Sequence, residues 1–261
     1  MDSDNFECNI FSKTSEIVDC NIDEENNTDS DIKLFKIELP KYYGIVDVLL
    51  KRLTSSEIQR AERYRLVKDK NRFVICRSIL KFVLAKEKQI HISEVQFEKN
   101  SKHKPYLKAD KTMFFNVSHA GDYAIIAIGK CDLGVDIEYI SPDFNYMDIL
   151  PSVFSDEEIS FLQDSKFERQ IFYKFWTRKE AIVKAIGKGI DDDFLKIPVL
   201  DGAHTVPSRL VNDFKKINVF SFNLNANYVG ALAFKGDKVD FKKLSFQPLP
   251  NTEALESMLK L

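Results

Sequence analysis

The chain has 261 residues, with 38 Lys and Arg against 40 Asp and Glu and a formal charge of −2. Hydrophobic residues at 44% and charged residues at 30% describe a folding chain and exclude a disordered one. The near-zero total hides an asymmetry: residues 1–30 hold nine acids and one base, the remainder carries a net +6, and residues 51–111 alone carry +10. A local excess of that size suits a polyanionic ligand or an acidic partner, and equally a solvated face of Lys and Arg.

The length allows one large domain or two smaller ones, and 21 Phe supply material for a sizeable core. Cys8, Cys20, Cys76 and Cys131 form no CxxC pair, which argues against a zinc ribbon or a disulfide framework. The N-terminus is acidic and lacks the basic and apolar regions of a secretory signal. The longest apolar run, near 123–128, is far too short to span a bilayer. The expectation is a cytoplasmic protein with reduced thiols and no membrane contact.

In chain order, residues 1–30 are rich in Asp, Asn, Glu and Ser and read as an acidic, flexible tail. Residues 32–39 alternate charged and apolar side chains, as a half-buried strand does. Thr54 or Ser55 can cap a helix, with Glu57 completing a capping box if Thr54 is the cap, and a basic helical stretch follows to about residue 67. Residues 70–88 repeat apolar side chains at helical spacing, with Arg72, Arg77 and Lys81 around that face. Strands follow at 95–98, 114–117, 123–129 and 134–140. Ser155 with Glu158 repeats the capping signal, and a long helix runs over 168–186 to stop at Gly187 and Gly189. Three strands close the chain, at 219–224, 228–234 and 239–246. Each half therefore runs from helices into strands, with the join near 130–134.

Several segments carry side chains suited to phosphate chemistry. In Gly134-Val135-Asp136-Ile137-Glu138 the period of two puts Asp136 and Glu138 on one strand face. Paired carboxylates repel unless a cation lies between them, and hard oxygen ligands suit magnesium; D-x-E is also common on exposed strands. In Trp176-Thr177-Arg178-Lys179-Glu180-Ala181-Ile182-Val183-Lys184, Glu180 and Lys184 share a helix face with Trp176 one turn earlier. Alone, that is also an ordinary ion pair beside a core tryptophan. Phe115-Asn116-Val117-Ser118-His119 ends a strand, where Ser118 and His119 could meet a phosphate or simply stabilise a turn. Pro105 holds Lys104 in a fixed turn, and Arg72 lies on the basic helix.

Together and in this order, these segments resemble the 4'-phosphopantetheinyl transferases of the larger, surfactin-synthetase-activator type. The family pattern has F-N-x-S-H, G-[IV]-D-[IV]-E and W-x-x-K-E-[AS]-x-x-K, which stand here at 115–119, 134–138 and 176–184. The family's G-K-P turn is His103-Lys104-Pro105 in this chain, so its glycine is replaced. The resemblance covers about residues 40–235.

What the resemblance implies is an α+β fold, a pseudo-dimer of two similar halves with the active site in the cleft between them. Residues 31–131 would form the basic half that grips coenzyme A phosphates, and 132–261 the half that carries the carboxylates. It implies magnesium, or manganese in its place, on Asp136, Glu138 and Glu180. Arg72, Lys104, Ser118, His119, Asp136 and Lys184 would face coenzyme A. Catalysis would fall to Glu180 as base, with Glu158 second, and to Lys184 at the pyrophosphate. The partners implied are coenzyme A and acyl or peptidyl carrier proteins, with the protein acting as a monomer. Residues 144–150 are a candidate apolar contact for the carrier. A coenzyme A binder without catalysis would retain the same cleft but lose part of the carboxylate set. A nucleic-acid binder finds only the basic stretch, with no recognisable reading motif, so no nucleic acid is expected.

Overall fold

The computed structural model describes residues 7–19, 32–212, 214–236 and 244–260. Among the described residues the strands are β1 (Glu7–Thr14), β2 (Val18–Asp19), β3 (Ile32–Glu38), β4 (Phe97–Lys99), β5 (Pro105–Leu107), β6 (Phe114–Ala120), β7 (Tyr123–Gly129), β8 (Leu133–Tyr139), β9 (Gly202–Pro207), β10 (Lys216–Asn225), β11 (Tyr228–Lys235) and β12 (Ser245–Gln247). The helices are α1 (Val46–Leu50), α2 (Ser55–Glu62), α3 (Val67–Lys88), α4 (Leu150–Val153), α5 (Asp156–Gln163), α6 (Glu168–Ile186) and α7 (Thr252–Lys260). The architecture is mixed, with helices beside several sheets.

One five-stranded sheet runs β2-β12-β3-β7-β6 and a second runs β8-β11-β10-β1-β9, with β4 and β5 pairing separately. The alternation along β7 shows how the layers stack. Ala124, Ile126 and Ile128 join the core under α3, whereas Ile125 and Ala127 join Val135, Ile137, Phe220 and Phe222 of the other sheet. Likewise Ile217 and Val219 of β10 pack with Ala181, Ile182 and Ala185 of α6. The order through the molecule is thus helix, sheet, sheet, helix, and β7 is apolar on both faces because both are covered.

Local signals account for the element ends. Thr54 caps α2 by accepting from the Glu57 N–H while the Glu57 carboxylate accepts from the Thr54 N–H, and Ser155 and Glu158 repeat this at α5. Gly187 closes α6 at φ +66°, a left-handed conformation that glycine adopts without a Cβ penalty. The basic stretch after Thr54 is not one helix to residue 67: α2 stops at Glu62 and α3 starts at Val67.

The two chain ends cross between the sheets, and this corrects the expected tail. Residues 7–14 are β1, which runs parallel to β10 and antiparallel to β9. Its alternation places Cys8, Ile10 and Ser12 in the interior, all fully buried. The acids counted in residues 1–30 are too sparse over 7–14 to oppose that pattern, since Glu7 points outward. The rest of that stretch, 1–6 and 20–30, lies outside the described residues. In return β12 pairs parallel with β3, and Leu255 of α7 enters the core under α3. Most of the expected last strand over 239–246 also lies outside the described residues, and pairing begins at Ser245.

Candidate functional site

The even residues of β8 face α6. A Cβ at Gly134 would collide with the Ala181 carbonyl oxygen, the Ala185 nitrogen and the Lys184 Cβ, so glycine is what lets helix and strand approach this closely. Two and four residues along the same face stand Asp136 and Glu138, opposite Glu180 and Lys184 of α6. Lys184 Nζ donates to Asp136 Oδ1 at 2.6 Å and to Ser118 Oγ at 3.2 Å, and Ser118 Oγ donates to Asp136 Oδ1 at 2.8 Å. Asp136 is only 3% exposed, and its other oxygen, Oδ2, is buried without a hydrogen-bond partner.

The carboxylates share an electrostatic burden. Burial raises the Asp136 proton affinity, against the pull of the Lys184 ammonium and the two hydrogen bonds. Glu138 is pushed up to about 7, first by burial and then by the Asp136 charge, while the Trp176 side chain hydrogen-bonds it and acts the other way. Glu180 is raised by burial and by Asp136, against Lys184. Like charges that hold each other's protons in this way, with one buried oxygen unpaired, form a donor set that a divalent cation would satisfy. Among the described residues no three His, Cys, Asp or Glu side chains converge into a ready-made metal cage. The donor chemistry fits an ion that takes its remaining ligands from water or substrate oxygens.

Arg72 and His119 border this group. Arg72 sits on α3, where Nη2 donates to Asp69 Oδ1 at 2.7 Å. His119, at the end of β6, opens to solvent on one side; burial of its other side, then the Arg72 charge, lowers its proton affinity, and Lys184 adds to this. Asp136, Ser118, Lys184, Glu138 and Glu180 are therefore one cluster, with His119 and Arg72 beside it.

Two candidates stand elsewhere. Lys104 does not offer a free ammonium: Nζ donates to the Leu133 and Ala185 carbonyls at 3.0 and 2.9 Å, tying the hairpin of β4 and β5 to β8 and α6. Burial pushes its pKa down to about 8. Glu158, expected as a second base, is 3% exposed with both oxygens engaged. Oε2 accepts from the Ser155 N–H at 3.0 Å, Oε1 accepts from the Val199 N–H at 2.9 Å, and Lys179 stands 3.5 Å away. A carboxylate held by a helix cap, a loop amide and a buried lysine is structural, which removes it from the catalytic set. The replaced glycine finds its answer too: His103 adopts φ +60°, the conformation a glycine would take there.

Two features escaped sequence reasoning. Arg60, Arg63, Tyr64 and Lys99 line a basic pocket of about 390 Å³. The +10 over 51–111 pointed to that region without showing which cations converge. Phe144, Ile149, Phe172, Tyr173 and Trp176 line an apolar pocket of about 350 Å³ with Glu138 at its rim. The stretch 144–150 had marked one wall of it.

Carboxylates facing a lysine and bordered by an arginine and a histidine are a set of groups suited to phosphate oxygens. Comparison with known proteins gives the family. The pattern of the 4'-phosphopantetheinyl transferase superfamily matches residues 132–233, and that of the 4'-phosphopantetheinyl transferase N-terminal region matches 45–131. The 4'-phosphopantetheinyl transferase HetI of Nostoc sp. is 30% identical over 166 residues, 61% of this chain and 70% of HetI. The slr0495 protein of Synechocystis sp. is 34% identical over 143 residues, 53% of this chain and 58% of that protein. The 4'-phosphopantetheinyl transferase Sfp of Bacillus subtilis is 28% identical over 134 residues, 51% of this chain and 59% of Sfp. The chain belongs to the 4'-phosphopantetheinyl transferase family and is of the Sfp-like type.

Proposed function

We propose that this protein transfers the 4'-phosphopantetheine arm of coenzyme A to a serine of an acyl or peptidyl carrier protein. The serine oxygen bonds to the β-phosphorus, the bond from that phosphorus to the bridging oxygen breaks, and adenosine 3',5'-bisphosphate leaves with the electron pair. The observation that carries this proposal is the contact of Lys184 with Asp136 and Ser118 between β8 and α6, with a buried Asp136 oxygen left unpaired and with Glu138 and Glu180 raised by burial and by the Asp136 charge.

The residues divide the work. Lys184 places a positive charge where the leaving oxygen develops negative charge. Arg72 and His119 hold phosphate oxygens, the arginine by a forked contact and the imidazole as a neutral partner. The basic pocket of Arg60, Arg63 and Lys99 takes a further anionic group of the same ligand. Glu180 takes the proton of the attacking serine, directly or through a metal-bound water. Asp136, Glu138 and Glu180 would hold magnesium, which supplies Lewis-acid neutralisation of the pyrophosphate when bound.

The sheet-plus-long-helix plan of each half is consistent with a pseudo-dimer, and a single chain that carries both halves would act as a monomer. The apolar pocket at Phe144 and Ile149 suits the carrier's apolar surface beside its serine, and the positive field of 51–111 would steer an acidic carrier towards it. No helix among the described residues is long and apolar enough to cross a membrane.

The test is to mix the protein with coenzyme A, magnesium and a panel of apo carriers, and to weigh the carriers. A mass gain of one phosphopantetheine arm is expected. No gain on any fatty-acid, polyketide or peptide carrier would overturn the proposal.

A further inference from the structure

The two five-stranded sheets end at β6 and at β8, and these edge strands lie in contact without a backbone ladder between them. The edge of β8 that faces β6 presents the N–H groups of Val135 and Ile137. Both are taken by side chains. Asn116 Oδ1 accepts from the Val135 N–H at 2.9 Å, and Ser118 Oγ accepts from the Ile137 N–H at 3.4 Å. The two acceptors are two residues apart on β6, and the two donors are two residues apart on β8. Side chains thus stand in for the missing rungs of a ladder.

The residue between the two pinned amides is Asp136. Ser118 touches it directly, whereas Asn116 reaches it through the backbone of β8. A reacting group has to be held within about 0.5 Å of its working position, and Asp136 lies on a strand whose inner edge has no neighbouring backbone to hold it there. Gly134 leaves α6 pressed on the face of β8 that carries Asp136, so a loosened β8 would shift the Lys184–Asp136 contact.

We propose that Asn116 is a positioning residue for the transfer: its carboxamide oxygen pins Val135 and thereby sets the Asp136 carboxylate, with Oδ1 on Lys184 and Ser118 and Oδ2 free. This rests on the transferase proposal above. The oxygen alone makes the bond, so Asn116→Asp retains it and Asn116→Leu removes it at nearly constant volume.

The experiment compares the full chain with N116L and N116D. Amide hydrogen exchange at Val135 is read without coenzyme A or metal, and kcat and KM are read with coenzyme A, magnesium and a carrier that the wild-type protein accepts. In N116L, Val135 exchanges about tenfold faster, the factor expected for one net hydrogen bond. In the same variant kcat falls about 10–100-fold while KM for coenzyme A stays within about threefold, as for an outer partner of a metal or substrate ligand. In N116D the Val135 protection persists and kcat exceeds that of N116L. An unchanged kcat in N116L, or a loss confined to KM, overturns the proposal, because the first denies positioning and the second describes a ligand contact. Should N116L fail to fold, N116D decides: loss of Val135 protection there overturns the pin. If the wild-type protein modifies no carrier, the transferase proposal falls by itself, and equal Val135 exchange in wild type and N116L still refutes the pin.

Discussion

Replacing Glu138 with Gln should stabilise the protein at high pH and not at low pH. The Glu138 carboxyl is pushed from its ordinary 4.5 to about 7 by burial and by the neighbouring Asp136 charge, with Lys184 pulling the other way and Glu180 adding to the push. The folded state therefore holds a proton between these values that the unfolded state has released. Stability falls as pH rises through that window, with the full cost present above about 7 and absent below about 4.5. At about 1.4 kcal/mol per pH unit the cost is roughly 3 kcal/mol, and sharing of the proton with Asp136 and Glu180 brings it nearer 2. Gln cannot ionise, yet its oxygen can still accept the Trp176 hydrogen bond. At 2–4 °C per kcal/mol for a chain near this size, E138Q should melt roughly 4–8 °C above wild type at pH 8 and level with it at about pH 4. Thermal unfolding of both proteins by circular dichroism across that range is the assay. Magnesium, by relieving the same repulsion, should raise the wild-type midpoint at pH 8 more than that of E138Q. A gap between the two proteins that does not change with pH would refute the electrostatic account.

Four further substitutions separate scaffold from site. Gly134→Ala forces α6 off β8 and should cost about 1–3 kcal/mol in denaturant unfolding and lower turnover as well; a neutral result would show that the approach is looser than described. Lys179 donates to the Phe194, Leu195 and Ile197 carbonyls and pairs with Glu158, so K179M should lose about 3–5 kcal/mol of stability, whereas K184M should fold and lose turnover; equal melting points for the two variants would contradict this division. His103→Gly removes a left-handed non-glycine residue and should raise stability by up to about 1 kcal/mol, with a lowered melting point as the contrary result. Removing residues 1–14 takes β1 from between β10 and β9 and deprives Arg178 of Thr14; the melting point should drop sharply, and an unchanged one would mean that β1 adds nothing to its sheet.

What could be seen in the sequence was local. Capping boxes at Thr54 and Ser155, the glycine stop at Gly187 and the shared face of Asp136 and Glu138 each depend on residues within four positions of one another. What stayed hidden depends on distant pairings. Nothing within Glu7–Thr14 says that it lies parallel to β10, some two hundred residues away, and the acids around it mask its alternation. Lys104 reads as a phosphate contact until the carbonyls of Leu133 and Ala185 are found beside its ammonium. The same limit explains Glu158, whose cap was legible but whose partners Val199 and Lys179 were not.

Helix α6 shows most directly why a motif understates its own division of labour. Arg178, Lys179 and Glu180 are consecutive, but each residue turns about 100° around the helix axis. Arg178 is fully buried and donates to Ser221, to the Val199 carbonyl and to Asp201. Lys179, also fully buried, turns to the loop of Phe194 and Ile197, and burial pushes its pKa down to about 8. Glu180 is the first of the three to face β8, and Lys184 follows it one turn later on the same side. A charged run that looks uniform on paper is therefore two buried cations fastening the helix and one carboxylate turned towards Asp136 of β8. The fastening sets the rotation of α6 about its axis, and that rotation decides whether Lys184 meets Asp136 at all. Weakening Arg178 or Lys179 should accordingly lower turnover through a lost Lys184–Asp136 contact, even though neither side chain faces the Asp136 cluster.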